Sequence, residues 1–499
     1  MDSQDRLILL ASLWIVYTFA LLLLVWAART ATRTLRRVLY TTTLRGPEQS
    51  SGEAMDIAVL AARYGPAFQV PTGLFSREIV LCDATAIAHF YANAPLIYRT
   101  PDFVREATKN LAGRGLTWAD GERHSGHRQA LAPLFTEASV EQNFAPTFFA
   151  MAHKMESMWT RALESRRGMV IDIQNCLDSL GVAGFSHDFE SLSGGYCLAT
   201  AALYTLRAPR TRSLSDALFR LAALAPSLRA LPTAKNRIIN DFLAAMSRIA
   251  GDVLERSAGK SGSVLGLLIK SLAEHPAGEF RLSHAEVLAQ MVLKPPLWVL
   301  VELAKNPSFQ DKLRIELVQV NDLADYSQIS KLPYLHAVVY ETLRLHSPIG
   351  DTTRVAAEDD VIPLSSPIAA NSGETITSIK VAKGTVVTVP IRYVNTSETF
   401  WGPGFPQFDP GRWWQDRNNV DFPGNRHLAF GDGPRTCLGA EFSLALVKVV
   451  LAVIVGGFTL SLPEGPQTVV ESTGGHISQP KMPGRGSEML MVVARVRQE

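Results

Sequence analysis

The sequence predicts a mainly helical protein with a small β part, behind a single N-terminal membrane helix. Three observations predict this. Leu- and Ala-rich stretches carry apolar residues every three or four positions. A few β-branched segments are broken by Gly, Asn and Ser. An uncharged run stands near the N terminus.

The uncharged run is Leu7 to Ala28, LILLASLWIVYTFALLLLVWAA, which is 22 residues. At the helical rise it spans roughly 33 Å, enough for the hydrocarbon core of a bilayer. A cleaved signal peptide has a shorter apolar core, about 7–15 residues. Arg29, Arg33, Arg36 and Arg37 follow the run, whereas Asp2 and Asp5 precede it. Positive flanks stay in the cytosol. The reading is a short lumenal tail (1–6), a transmembrane anchor (7–28), a basic linker (29–45) and one large domain (46–499). It implies a single-pass protein of the endoplasmic reticulum membrane with a cytosolic domain.

Helical spacing runs from about Ser139 to Ser165, Leu214 to Leu254 and Trp298 to Leu317. Strand-like segments are Pro66 to Cys82, several pieces between Val355 and Pro390, and the C-terminal Met489 to Val496. With 47% apolar residues in 499, the chain can bury a large core, and no Gly/Ser linker, charge block or repeat divides it. The net charge of +2 gives no basic surface for nucleic acid, so none is expected as a partner. Four widely spaced cysteines without a C-x-x-C form neither a disulfide framework nor a zinc pattern, which suits a reducing compartment.

One cysteine stands in a special setting. Phe430 to Gly439 reads FGDGPRTCLG and precedes an apolar run, AEFSLALVKVVLAVIV. Cys437 therefore sits just before a helix N-terminus, where free N–H groups favour a thiolate. Gly431, Gly433 and Gly439 permit a tight turn and close approach of a flat ligand. Arg435 is able to pair with a carboxylate on such a ligand. A buried cysteine in a glycine-rich turn is the plainer alternative.

The stretch resembles the F-x-x-G-x-R-x-C-x-G haem-binding loop of the cytochrome P450 family. The resemblance implies that Cys437 is the axial thiolate of the haem iron, with Phe430, Gly431, Arg435 and Gly439 around it. Thiolate ligation pushes electron density onto iron and favours O–O cleavage. Glu341-Thr-Leu-Arg344, after Leu332 to Leu335, is similar to the family's E-x-x-R, and FDPGRW (Phe408 to Trp413) to its P-E-R-W-type loop. Gly411 stands where the family has glutamate. Glu341, Arg344 and Arg412 are expected to form a buried structural cluster under the haem loop. A surface ion pair has the same i, i+3 spacing. His124 and Arg128 fit the family's H/W-x-x-x-R helix, and Arg354 matches an arginine that follows E-x-x-R. These three are expected at the haem propionates; solvated basic side chains are the alternative. The resemblance covers Gly46 to Glu499, and Leu177 to Leu192 shares its flavour.

One stretch departs from the pattern. In QMVLKPPLWVLVELAKNP, Gln290 to Pro307, two helical flanks meet at Lys294-Pro295-Pro296. Proline breaks a helix interior. The family carries an A-G-x-E/D-T segment there, with about ten more residues, or about 15 Å of helix. No distal acid or threonine occurs between Gln290 and Trp298. Either the translated sequence omits coding residues at an exon junction, or the chain is real and lacks the usual oxygen-activating element.

The resemblance implies a haem-thiolate monooxygenase that uses haem b (iron protoporphyrin IX) and acts on an apolar small molecule. Electrons would come from NADPH through a separate flavoprotein, NADPH-cytochrome P450 reductase, with cytochrome b5 as a further partner and membrane lipid around the anchor. Fungal secondary metabolism or xenobiotic oxidation is the expected setting. The alternatives are a reductase-independent hydroperoxide isomerase or dehydratase, and an inactive haem-binding relic. The pocket is expected to draw on the stretch before Trp118, on Arg207 to Arg237, on Pro348 to Thr353 and on the loop near His476. Asp351 is either a polar substrate contact or a turn-stabilising aspartate.

Overall fold

The computed structural model describes residues 34–48, 56–73, 76–94, 96–112, 114–174, 176, 297–320, 322–413, 427–472, 479–485 and 488–496, with scattered residues between 14 and 32. Most of the anchor lies outside the described residues. So do the helix expected over Leu214 to Leu254, the Leu177 to Leu192 and Arg207 to Arg237 stretches, Lys294-Pro295-Pro296 and His476. The chain forms two compact units, one of residues up to Arg99 plus Thr353–Val389, the other of Thr100–Thr352 plus Pro390–Glu499.

The first unit is built on a five-stranded sheet. Strands β1 (Ala67–Gly73) and β2 (Ser76–Leu81) pair antiparallel, with Phe68 opposite Val80, as the alternation in Pro66 to Cys82 predicts. Parallel to β2 runs β8 (Val386–Val389), and β5 (Thr352–Ala356) and β3 (Tyr98–Arg99) complete the order β1-β2-β8-β5-β3. A separate ribbon pairs β6 (Asp360–Ala369) with β7 (Thr375–Val381). Two helices are fixed by aspartate caps. Asp56 accepts from Ala58 N–H ahead of α1 (Ile57–Tyr64), and Asp83 from Ala86 N–H ahead of α2 (Ala84–Ala92). Asp360 Oδ2 accepts from the Tyr98 hydroxyl at 2.6 Å and is 2.9 Å from His89 Nε2.

The end of the expected basic linker is built into this unit. Residues 34–40 are helical. Thr42 N–H donates to Lys380 O, Asn371 N–H to Thr43 O and Gln69 N–H to Arg45 O, at 2.9 to 3.0 Å. Arg36 Nη2 lies 2.7 Å from Asp359 Oδ2.

The second unit is helical. It comprises α3 (Asp102–Ala112), α4 (Gly121–Leu131), α5 (Ala145–Ala162), α6 (Trp298–Lys305), α7 (Pro307–Val318), α8 (Pro333–Leu345) and α9 (Ala440–Gly457) among its longer helices. A small sheet has the order β4 (Met169–Asp172), β12 (Leu490–Arg495), β9 (Phe458–Ser461), and β10 (Glu471–Ser472) pairs with β11 (Pro480–Lys481). The helix expected over Trp298 to Leu317 is two helices. Pro307 cannot donate within a helix, so it opens α7 after Asn306 closes α6.

Helix α9 is the centre of this unit. Apart from Lys448, whose Nζ donates to Ser330 O at 2.8 Å, it is apolar and buried from Phe442 to Val455 except at Ser443, with Phe442 in edge contact with Phe144 and Phe148 at 5.2 and 4.8 Å. Among the described residues it is the one helix long and apolar enough to cross a membrane, and its burial makes it a core helix. Helices α6 and α8 are locked by Trp298, which stacks on His346 at 3.9 Å, and by Glu302 Oε1, 2.7 Å from His346 Nε2.

Candidate active site

The loop before α9 is held by its own backbone. Gly431 N–H donates to Leu428 O at 2.9 Å, Thr436 N–H to Gly433 O at 3.0 Å and Cys437 N–H to Phe430 O at 2.8 Å. Gly431 (φ 70°) and Gly433 (φ 65°) adopt the left-handed backbone that makes these bonds possible. A Cβ added at Gly431 would meet no atom of the described residues within 4 Å.

Cys437 is open to solvent, although protein atoms crowd its thiol. That desolvation pushes its pKa up, while a hydrogen bond from Gly439 N–H and the charge of Arg128 pull it down. The sequence reading expects the helix end to favour the thiolate. The contribution is there, through Gly439, but crowding outweighs it.

Helix α4 brings the next groups. Arg128 Nη1 donates to Thr436 O at 2.6 Å, one residue before the cysteine. One turn earlier His124 is buried, and burial, then Arg435 and Arg128, depress its pKa to about 4. It is neutral near pH 7 and can donate or accept a hydrogen bond. Arg435 is buried and pairs with Asp120. Asp120 also lies 3.5 Å from Arg105 Nε, and the Arg105 guanidinium sits 4.8 Å over the Trp118 ring. His124, Arg128 and Arg435 therefore lie in one charged neighbourhood. Arg354 lies on β5 in the other compact unit, where its Nη1 donates to Thr353 O at 3.1 Å.

The predicted cluster beneath the loop is present. Glu341 and Arg344 are fully buried and doubly hydrogen-bonded, and Arg412 Nε lies 3.3 Å from Glu341 Oε1. Asp409 N–H and Trp413 Nε1 also donate to the same carboxylate, at 3.0 Å each. Sequence reasoning missed Asn395. Its carbonyl accepts from Arg344 Nη1 at 2.9 Å, and its Oδ1 accepts from Leu428 N–H at 2.9 Å, which ties the cluster to the loop. It also missed His427, whose Nδ1 accepts from Ala429 N–H among the rings of Tyr340, Trp413 and Phe430. Neither residue belongs to a motif, so no spacing marks them.

The arrangement fits a flat, anionic, thiol-ligated group. Besides Cys437, the buried donors Trp118 Nε1 and Arg435 Nε have no hydrogen-bond partner among the described residues. Cations and orphan N–H groups near an accessible thiol suit a haem and its two carboxylates.

The cytochrome P450 family model matches residues 296–485. Cytochrome P450 monooxygenase claP of Ampulloclitocybe clavipes is 42% identical, over 91% of this chain and 94% of its own length. This chain belongs to the cytochrome P450 family. Further P450 relatives are monooxygenase 205 of Postia placenta (29% identical; 83% of this chain, 82% of that one) and the ganoderic acid synthetase of Ganoderma lucidum (28%; 81% and 83%). As a P450 the chain is an oxidoreductase of the monooxygenase class, and the family implies haem iron, a redox partner that supplies electrons and a small-molecule substrate. The claP alignment is 504 positions long yet holds 91% of 499 residues, so about 50 of its positions face gaps in this chain. The match to the family model starts at Pro296, the last residue of the Lys-Pro-Pro junction.

Proposed function

We propose that this P450 binds haem b through Cys437 and inserts one oxygen atom from dioxygen into an apolar small molecule. The observation that carries the reading is the exposed residue Cys437 in its glycine-turned loop, with Arg128 bound to the neighbouring Thr436 carbonyl and with His124 and Arg435 close to Arg128 and Asp120. Bound haem supplies the oxygen chemistry. The chain's own residues have three tasks. Cys437 and the Gly439 N–H hold the proximal charge. Arg128, Arg435, His124 and Trp118 offer donors to the haem carboxylates. Glu341, Arg344, Arg412 and Asn395 keep the loop in shape.

Electrons are expected from NADPH through the separate NADPH-cytochrome P450 reductase, with cytochrome b5 as an auxiliary partner. Residues 7–28 are read as a lipid-embedded anchor, with residues 1–6 in the lumen and the chain after the anchor on the cytosolic face of the endoplasmic reticulum. The ganoderic acid synthetase relative favours a secondary-metabolic substrate.

Two readings of the 290–298 stretch stay open. The start of the family match at Pro296 supports a translated sequence that omits residues present in relatives. If the chain is real, the missing acid and threonine favour a reductase-independent reaction on a hydroperoxide, or a relic. Sequencing the source transcript across the codons for Leu288 to Val299 separates the two. Turnover is then measured on the full chain. Oxidation that needs NADPH, reductase and dioxygen supports the monooxygenase. Turnover with hydroperoxide alone supports the second reading. A chain that takes up no haem overturns both.

A further inference from the structure

Asp120 precedes α4 at the position where an aspartate usually caps the helix. Its side chain makes no capping hydrogen bond. The carboxylate instead faces two arginines from other segments. One oxygen receives Arg435 Nη2 from the Cys437 loop, and the other lies 3.5 Å from Arg105 Nε on α3. All three side chains are largely buried, at 8% exposure for Asp120, 9% for Arg435 and 28% for Arg105. Arg435 Nη2 also donates to Ala119 O at 3.3 Å, and Arg435 Nε has no hydrogen-bond partner among the described residues.

An arginine held at one end by a buried carboxylate loses most of its rotational freedom. Its remaining donors then point in a fixed fork. We propose that Asp120 is a positioning residue: it tethers Arg435 to α3 and α4, holds the Cys437 loop in place before haem binds, and leaves the Arg435 Nε–H ready for a haem carboxylate. The last part rests on the haem reading above.

The test uses the full chain as wild type, Asp120→Asn, Asp120→Glu, Arg435→Ala and the double variant. Circular dichroism confirms that each folds. Asp120→Asn keeps the size of the side chain and removes the charge. In the haem-free protein, amide exchange across Phe430 to Gly439 is expected to quicken about tenfold in Asp120→Asn and to recover in part in Asp120→Glu. In the loaded protein, haem transfer to an apo-haem acceptor is expected to quicken about tenfold. The double variant is expected to lose haem no faster than Arg435→Ala alone, because both changes remove the same tether. The haem reduction potential is expected to rise in Asp120→Asn, since a nearby negative charge is gone.

Wild-type exchange in Asp120→Asn, or additive effects in the double variant, overturns the proposal. Faster exchange with haem loss and potential unchanged reduces Asp120 to a structural residue and also overturns it. A wild-type chain that takes up no haem sinks the functional reading instead, and the loop tether is then judged by exchange alone.

Discussion

Arg344 donates to the Glu341 carboxylate through both Nε and Nη2, each at 2.8 Å, and neither side chain exposes any surface. Glu341 is also the acceptor for Asp409 N–H, Arg412 and Trp413. Removing one partner of a buried pair leaves the other charge uncompensated, at a cost of about 3–5 kcal/mol. Glu341→Ala is expected to lower the unfolding free energy by that much, read from the urea midpoint at unchanged slope.

Asn395 links this cluster to the cysteine loop, and its Nδ2 donates to Ser347 Oγ at 2.6 Å. Asn395→Ala orphans the buried Leu428 N–H. The expected loss is about 1–3 kcal/mol, with faster amide exchange at Leu428 and Gly431 than elsewhere in the unit.

Arg128 lowers the pKa of the Cys437 thiol by its charge. Arg128→Ala is therefore expected to raise it. Alkylation of Cys437 in the haem-free chain, followed by peptide mass spectrometry, should need a higher pH for the same rate. Arg128→Lys should keep part of the effect. An unchanged pH profile in Arg128→Ala contradicts the assignment.

His427 is almost wholly buried, and burial depresses its pKa from 6.5 to about 4. The unfolded chain therefore binds more protons between these values, so stability falls as pH falls across that window. The contribution is complete above pH 6.5 and lost as pH drops through about 4. At 1.36 kcal/mol per pKa unit it amounts to about 3 kcal/mol. His124 has a similarly depressed pKa. His427→Phe should flatten the acid limb of a stability–pH curve, with His124 among the groups that carry the rest.

Gly46 packs against the β1 backbone, and a Cβ there would lie 1.8 Å from Gln69 O. Backbone cannot move aside as a flexible side chain does. Gly46→Ala is expected to destabilise the first unit by about 1–3 kcal/mol or more, measured as earlier thermal loss of structure. Gly65→Ala provides a control for backbone strain without a clash, because its added Cβ has open space despite a φ of 97°.

The helical core and the cysteine loop were legible because both rest on local signals. Apolar spacing marks α5, α6 and α9, and a ten-residue motif marks Phe430 to Gly439. The Glu341 cluster was legible through two short motifs. Asn395, His427 and the Asp120 pairing were not. Each works through partners far along the chain, up to 315 positions for Asp120 with Arg435, and a single Asn, His or Asp has many local uses. The break at Pro307 was hidden because the apolar spacing continues across it while the backbone does not.

The first unit is discontinuous. Strand β2 lies beside β8, and Glu78 pairs with Val386. During synthesis about 250 residues must be added between Arg99 and Thr353 before the second part begins to appear. At about 5–20 residues per second that is roughly 10–50 s. For that interval β2 has no β8 to cover its edge, and the Thr42 and Thr43 backbone has no Lys380 or Asn371 to pair with. The emerging N-terminal segment is thus the stage of biogenesis at which a chaperone has the most to protect, and a mutation that weakens β8 would be felt first as lost yield.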